Sequence, residues 1–375
     1  MFELDERYQT LFAAARTLAQ SVERYADEAD QMLTVHPEMH KALKESGLVR
    51  LCVPAAYGGS EERVDSLAIT VVREALMGVS AHLDGLFAMQ GIGSFALAQA
   101  GAEEVKRAWL PKVASLDVIA ALALTEPLVG SDLKAITTTI RSDGDELIIN
   151  GHKSFITNAG AAGFFTVLGR EDDGYSLVLV PTDAEGVSVD VGPVLIAPHV
   201  MGDVRFADVR VPANHRIGAP GQAFKLVLAT LATFRVSVAG AAVGLAQAAL
   251  DEAVRHAHTR EQFGRKLAEL GPIPHVIGSS WIDVESARVL TYRAAARAAA
   301  DPLGNLDLSS MAKVAATEAA ARVADRAVQI MGRFGLISGS KVERLYRNAR
   351  PMRIYEGGNE VLVGQLARQL GKSLR

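Results

Sequence analysis

The chain has 375 residues, with 39 lysines and arginines against 43 aspartates and glutamates, for a formal charge of −4. That length can bury a large core or hold two or three domains, and the near balance of charge excludes a nucleic-acid footprint built on a basic surface. A single cysteine, Cys52, excludes an internal disulfide. Its apolar setting, LCVPAAYGG, predicts a buried, inert thiol. The apolar fraction, 49%, is high. No run reads as the roughly 18 apolar residues of a membrane span, so the excess is expected in a core or between subunits. The opening MFELDERYQT is acidic and lacks an apolar signal core, which predicts a cytoplasmic protein.

In chain order, Tyr8, Leu11, Phe12, Ala15, Leu18, Ala19, Val22 and Tyr25 fall on one helical stripe. A second helix starts in HPEMHKALKESGLV. Pro37 sits in its first turn, where a missing N–H is harmless, and Gly47 is its stop. PAAYGGS reads as a turn, and long apolar helices follow to about VKRAWLPKVAS. From DVIAALALTEP to about VRVPANHRIGAP the signals become β. TTTIRSDGDELIINGHKSFIT alternates and holds Asp143-Gly144 and Asn150-Gly151, both hairpin signals. GFFTVLGR and YSLVLVPT read as strands of an all-β domain of roughly a hundred residues. After Gly221 the helices return. FRVSVAGAAVGLAQAALDEAVRHAHTR predicts one long helix whose small-residue face lets a neighbour approach closely, in a bundle or a subunit interface. SSMAKVAATEAAARVADRAVQIMG predicts another.

Some motifs are decoys. GIGSFA at 91–96 loosely matches a dinucleotide fingerprint, but no strand precedes it, so it reads as helix packing. HPEMH resembles a zinc signature with its Pro and Glu misplaced, and reads as a solvated helix start. His256 and His258, two apart, point to different sides of a helix. Neither predicts a metal. There is no G-x-S-x-G and no P-loop.

Three segments carry chemistry. In ALTEPLVGSD, at 123–132, a strand ending in Thr125-Glu126-Pro127 runs into a loop with Gly130 and Ser131. Hydroxyls and amides there suit a planar heterocycle or a phosphate, although an ordinary hairpin loop has the same pattern. In TREQFGRKL, at 259–267, Arg260 can pair with a phosphate and Gly264 reads as a helix stop beside Phe263; a surface arginine and a buried phenylalanine fit equally. The third segment runs from QIMGRFG to RIYEGGNEV and holds Gln329, Gly332, Gly335 and a carboxylate, Glu356. Ile354 and Tyr355 precede that acid, and Gly357 and Gly358 permit close approach of a ligand. An acid in partly apolar surroundings has a raised pKa and makes a useful base.

Taken together, GLVRLCVPAAYGG, ALTEPLVGSD, NGHKSFITNAG, REQFGRKL and RIYEGGNEV resemble the acyl-CoA dehydrogenase family, in family order along essentially the whole chain. The fold this implies is α+β and multidomain. It has an N-terminal helical domain (1–119), a middle β-barrel or sandwich domain (120–220) and a C-terminal four-helix bundle (221–375), assembled as a homotetramer. The implied cofactor is FAD. Leu124 and Thr125 would contact the flavin, with 155–157 (Phe155, Ile156, Thr157) on its other side. Ser131 would touch both cofactor and CoA. Arg260, Gln262 and Phe263 would reach the FAD of a neighbouring subunit, and Gln329 and Gly332 would meet its adenosine end. Arg235, Tyr355 and Gly357 would line the substrate side.

The implied reaction is desaturation of an acyl-CoA to the trans-2-enoyl-CoA. Glu356 takes the α proton as hydride leaves the β carbon for flavin N5, and an electron-transfer flavoprotein is the implied acceptor. Some members carry the base just before the matched arginine; here that residue is Phe234, which cannot serve. Other readings are an oxidase-like enzyme, a dehydrogenase of carrier-protein thioesters, and a silent thioester-binding subunit. The chain departs from the family pattern at Ala232, Gly271, Arg333 and Asn348. It departs again at Gly358, where a Thr or Ser helps hold FAD, leaving Asn359 as the nearest polar side chain. Asp84 and Gln90 in HLDGLFAMQGIGSF admit a polar acyl group, but the commoner fate of such residues is to face solvent.

Overall fold

The structure, a computed structural model, describes residues 4–172 and 174–373. The chain forms two compact units. One gathers residues up to Asp30, 66–84 and 235 onward; the other holds 31–65 and 85–234.

The first unit is helical. It contains α1 (Glu6–Ser21), α2 (Ala26–Gln31), α4 (Ser66–Met77), most of α7 (Ala223–Thr259), α8 (Ile273–Ala300), α9 (Leu306–Met331), α10 (Lys341–Ala349) and α11 (Asn359–Ser373). The stripe expected on α1 is buried at Ala15, Leu18 and Ala19. The core is alanine-rich and comes mainly from α7, α8 and α9. Small residues set the spacing of α4 and α7. A Cβ on Gly240 would lie 2.5 Å from the Thr70 carbonyl oxygen, and one on Gly244 would lie 1.9 Å from that of Glu74. By length and composition α7 could cross a membrane, contrary to the sequence reading. Yet 83% of its most apolar window is buried inside the protein, as in a core helix.

The second unit holds α3 (Pro37–Ser46), most of α5 (Ala81–Ala100), α6 (Glu103–Ala114) and a twisted sheet. Gly47 ends α3 at φ 68°, as expected. HPEMH starts α3 with Pro37 and Glu38 exposed, as expected, but its first residue is a buried cap: the His36 side chain, 3% exposed, accepts from the Met39 N–H. The strands are β1 (Ile119–Ala123), β2 (Thr139–Asp143), β3 (Glu146–Thr157), β4 (Ala162–Glu171), β5 (Gly174–Pro181), β6 (Val187–Val191), β7 (Met201–Pro212) and β8 (Arg216–Ile217). Their order is β6-β7-β3-β2-β4-β5-β8, and β1 pairs parallel with β4. Along β4, Phe164 and Leu168 join a core shared with helices α5 and α6, while Phe165 and Val167 fill the opposite face of the sheet. Burial on both faces explains why this strand reads as a continuous apolar run.

Asp143-Gly144 makes the β2–β3 hairpin, with Gly144 at φ 66°. Asn150-Gly151 does not turn. It lies within β3 at a register shift, with Gly151 facing Phe206 of β7. A Cβ on Gly151 would come within 2.4 Å of the Thr138 hydroxyl, so close packing selects this glycine. The decoy at 91–96 lies inside α5, where a Cβ on Gly91 would meet the Phe234 ring at 2.4 Å.

Candidate active site

The carboxylate of RIYEGGNEV sits in a tight connection. Helix α10 ends at Ala349, a short 3-10 turn covers Pro351–Arg353, and α11 begins at Asn359. Between them Glu356 adopts φ 52° and Gly357 φ 100°. A left-handed glutamate costs on the order of 1–3 kcal/mol and persists only where its surroundings enforce it. The enforcement comes from two cations on other helices of the same unit. Arg235 of α7 donates through Nε to the Glu356 carbonyl (3.1 Å) and through Nη1 to Ser310 Oγ (3.1 Å). Lys313 of α9 donates to the Gly357 carbonyl (2.8 Å) and to Asn359 Oδ1 (2.9 Å).

Both cations hold backbone, and the carboxylate is left to other work. Glu356 Oε2 is buried with no hydrogen-bond partner. Burial pushes its pKa above the ordinary value; the charges of Arg73, Arg235 and Lys313 pull the other way, and Asp84 adds to the rise. Burial also pulls the Lys313 ammonium down to about 8, with the charge on Glu356 opposing. Arg73, 3% exposed on α4, is held by both oxygens of Asp84 (2.9 and 2.7 Å) and donates to Ser237 Oγ (3.0 Å). An acid with a raised pKa, an unpartnered oxygen and a rigid backbone can accept a proton from a weak carbon acid.

Lys313, Arg73, Asp84 and Ser310 were missed as parts of this cluster. The signal for Lys313 was its phase: it falls in line with Ser309, Ala312, Ala316 and Thr317 on the buried stripe of α9. A charged residue in that register has to be paired.

In the second unit, β1 ends at Ala123, short of the expected end in Thr125-Glu126-Pro127. Leu124 and Thr125 lie beside β3: Thr125 accepts from the Ser154 N–H (3.0 Å), and the Leu124 carbonyl accepts from Lys153 Nζ (3.0 Å). Phe155 is 48% exposed at φ 56°, on a strand otherwise largely buried. Thr157 is half-buried and Ser131 exposed. Ile156 differs from expectation. Its side chain, 2% exposed, is part of the sheet core, so only its backbone remains for a ligand. Glu126 is buried beneath this platform, and Lys153 Nζ lies 2.9 Å from its Oε1.

Phe263 and Gly264 do not end a helix. Helix α7 stops at Thr259, and the two residues form the turn of a hairpin between β9 (Glu261–Gln262) and β10 (Arg265–Lys266), at φ 53° and 73°. Phe263 is 93% exposed at the tip, against the buried alternative. Arg260 lies over the Phe334 ring (5.6 Å), as does Arg333 (5.1 Å). The fold therefore brings the 260 segment to the one that follows exposed Gln329 and Gly332. Phe334, the residue joining them, was not singled out in the sequence.

Family models for the N-terminal, middle and C-terminal domains of acyl-CoA dehydrogenases match residues 5–117, 121–209 and 221–371. A probable acyl-CoA dehydrogenase of Mycobacterium leprae, fadE25, is 35% identical over 99% of this chain and 97% of its own. The chain belongs to the acyl-CoA dehydrogenase family. Among solved structures, butyryl-CoA dehydrogenase from Megasphaera elsdenii superposes with a TM-score of 0.92 at 28% identity, covering 100% of both chains. A chain described under the electron transferring flavoprotein of Acidaminococcus fermentans reaches 0.93 at 29% identity, covering 99% of each.

Several residues singled out in this acyl-CoA dehydrogenase are occupied internally. Asn359 is 3% exposed; besides accepting from Lys313, it donates to Thr317 Oγ1 (3.0 Å) and Glu318 Oε1 (2.9 Å). Asn348 donates to Asp30 Oδ1 (2.9 Å). Asp84 and Gln90 face the interior rather than solvent, at 3% and 0% exposure. Gln90 bonds the Leu86 carbonyl and the Ala120 N–H. Cys52 is 1% exposed, as its setting predicted.

Proposed function

We propose that this acyl-CoA dehydrogenase converts an acyl-CoA thioester to the trans-2-enoyl-CoA, with Glu356 as the base that removes the α proton. The observation that carries this reading is the buried, unpartnered Glu356 Oε2 on a backbone held by Arg235 and Lys313. A base of raised pKa suits an α proton of low acidity, and a fixed backbone keeps its oxygen in line with the reacting carbon. The Glu356 amide, beside the left-handed Gly357, is the donor proposed for the thioester carbonyl as negative charge builds on it.

The residues of the second unit fit a flavin. Phe155 offers an exposed ring from a buried strand, and Ser154 Oγ and Asn158 Nδ2 on either side of it are buried without a partner. Leu124, Thr125, Ser131, Phe155 and Thr157, with the Ile156 backbone, would hold the ring system. The Leu124 and Thr125 carbonyls are committed to Lys153 and Ser154, so their contacts would come from amides or the Thr125 hydroxyl. Arg260, Gln262 and Phe263 are the proposed contacts to the FAD of a neighbouring subunit, and Gln329 and Gly332 those to its adenosine end. When bound, FAD supplies at N5 the acceptor for the hydride leaving the β carbon. An electron-transfer flavoprotein is the proposed electron acceptor, in keeping with the likeness to the Acidaminococcus chain. A homotetramer would cover exposed Trp281, Ile282 and Val289 on α8.

The test is a visible spectrum of the purified protein followed by anaerobic titration with acyl-CoAs of graded length and branching. Flavin absorbance that bleaches with one class of acyl-CoA is expected and names the substrate. A protein that takes up no flavin even on reconstitution overturns the reading.

A further inference from the structure

The turn that carries Glu356 is gripped by one stretch of α9, residues 313–318. Lys313 Nζ reaches the Gly357 carbonyl at 2.8 Å and Asn359 Oδ1 at 2.9 Å. Asn359 in turn donates to Thr317 Oγ1 and to Glu318 Oε1. Glu318 Oε1 also accepts from Arg353 Nε at 2.8 Å, on the other flank of the turn. Lys313 and Thr317, four apart, share one helical face, and Glu318 adjoins Thr317, so one stretch of α9 holds the turn before and after the acid. Lys313 is 0% exposed, and a buried ammonium that makes only local packing contacts would be an expensive way to fill space. Its acceptors instead lie one and three residues beyond Glu356, at the point where two successive residues adopt positive φ.

We propose that Lys313 is a positioning residue for proton abstraction, acting through the Gly357 carbonyl to hold the turn in the one conformation that presents Glu356 to the substrate. The inference rests on the reading of Glu356 as the base. Without the ammonium, the Gly357 carbonyl and Asn359 Oδ1 lose a shared donor. The left-handed glutamate can then relax, carrying its carboxylate away from the reacting carbon while the substrate pocket is unchanged. The charged groups that act on Lys313 are Glu356, Glu318 and Glu360, which favour its charge, and Arg235, which opposes it.

The experiment compares Lys313→Met, Lys313→Gln and Glu356→Gln by steady-state kinetics, by pH profile, and by exchange of the substrate α proton in deuterium oxide. A 1 Å misplacement at a reacting group costs on the order of 10²-fold. Lys313→Met is therefore expected to lower kcat and the exchange rate by roughly 10- to 100-fold with KM changed less than about threefold. Its acid limb should move to higher pH, because one of the cations opposing the rise in the Glu356 pKa is gone. Lys313→Gln keeps a donor for the Gly357 carbonyl, so it should recover part of kcat while the limb stays displaced. Wild-type kcat and an unmoved limb in any folded variant lacking the ammonium overturn the proposal. So does failure of both neutral variants to fold, since the ammonium would then serve the fold at large. The two readings separate cleanly. Exchange that survives in Glu356→Gln overturns the base itself. Exchange lost there but intact in Lys313→Met overturns the positioning role alone.

Discussion

Glu126 in the sheet unit and Glu356 in the helical unit are both withdrawn from water, and their surroundings differ in kind. Glu126 accepts five hydrogen bonds: from the amide and hydroxyl of Thr137, from those of Thr138, and from Lys153 Nζ. Burial alone would push its carboxyl up, but the Thr138 and Thr137 donors and Lys153 outweigh it and hold the group at about 2. Glu356 has cations nearby that spend their donors on backbone carbonyls, while its own Oε2 has no partner and burial raises its pKa. A saturated carboxylate is a structural joint; an under-satisfied one on an enforced backbone can trade a proton. The contrast is chemical, because both residues are glutamates in connections between regular elements.

The largest effect should come from Glu356→Gln. Removing a general base costs roughly 10² to 10⁴ in rate, so turnover should fall by about that factor, with thermal unfolding little changed. A variant that turns over at near wild-type rate would erase the distinction between the two acids. Glu126→Ala should do the reverse. It leaves Lys153, 0% exposed, as an uncompensated buried charge, at a cost of about 3–5 kcal/mol. That loss should show as a lower midpoint in urea unfolding followed by a probe of the sheet unit.

Acid titration sets the two groups against each other in one sample. Glu356 works as a base only when ionised, and its pKa lies above the usual 4.5. Activity is therefore lost as pH falls through that raised value. Glu126 has its folded pKa below the unfolded one, so its contribution is fully present above about 4.5 and is lost only as pH falls towards 2. Its upper bound is about 3 kcal/mol. A window is expected in which the protein is folded, judged by circular dichroism, yet inactive and reversibly so. Coincident loss of fold and activity would remove that window and the comparison with it.

Sequence carried much of this architecture where the cause is local. Gly47 stops α3 and Asp143-Gly144 turns a hairpin, because a left-handed glycine is written in the residue itself. The same chemistry misled at Asn150-Gly151, where pairing of β3 with β7 and the proximity of Thr138 decide the backbone. It misled again at Phe263-Gly264, read as a helix stop when the φ values make a hairpin turn. The oddity of Glu356 was legible from its neighbours. What holds it was not: Lys313 and Arg235 lie 43 and 121 residues earlier in the chain, and which faces of α7 and α9 meet the turn is settled by tertiary packing. Arg73 and Asp84 belong to the same class, being polar residues in helices whose pairing is invisible until the helices are placed.

The smallest effect tests why Glu126 needs so many donors. Thr137 and Thr138 contribute alike on paper, each with an amide and a hydroxyl, but Thr137 is exposed and Thr138 is 0% exposed. Replacing Thr137 by valine removes a bond that water can supply again, so the loss should stay within about 0.5 kcal/mol. Replacing Thr138 by valine leaves a buried carboxylate oxygen short of a donor that nothing can replace, at about 1–3 kcal/mol. It also puts a methyl group in place of the Oγ1 hydroxyl on the side of Thr138 that faces Gly151, where an added Cβ would already clash. The acid-unfolding midpoint should shift up in the Thr138 variant and hold in the Thr137 variant. Equal shifts would mean that Glu126 is held by total donor number rather than by the dry side of its site, and its contrast with Glu356 would then rest on count alone.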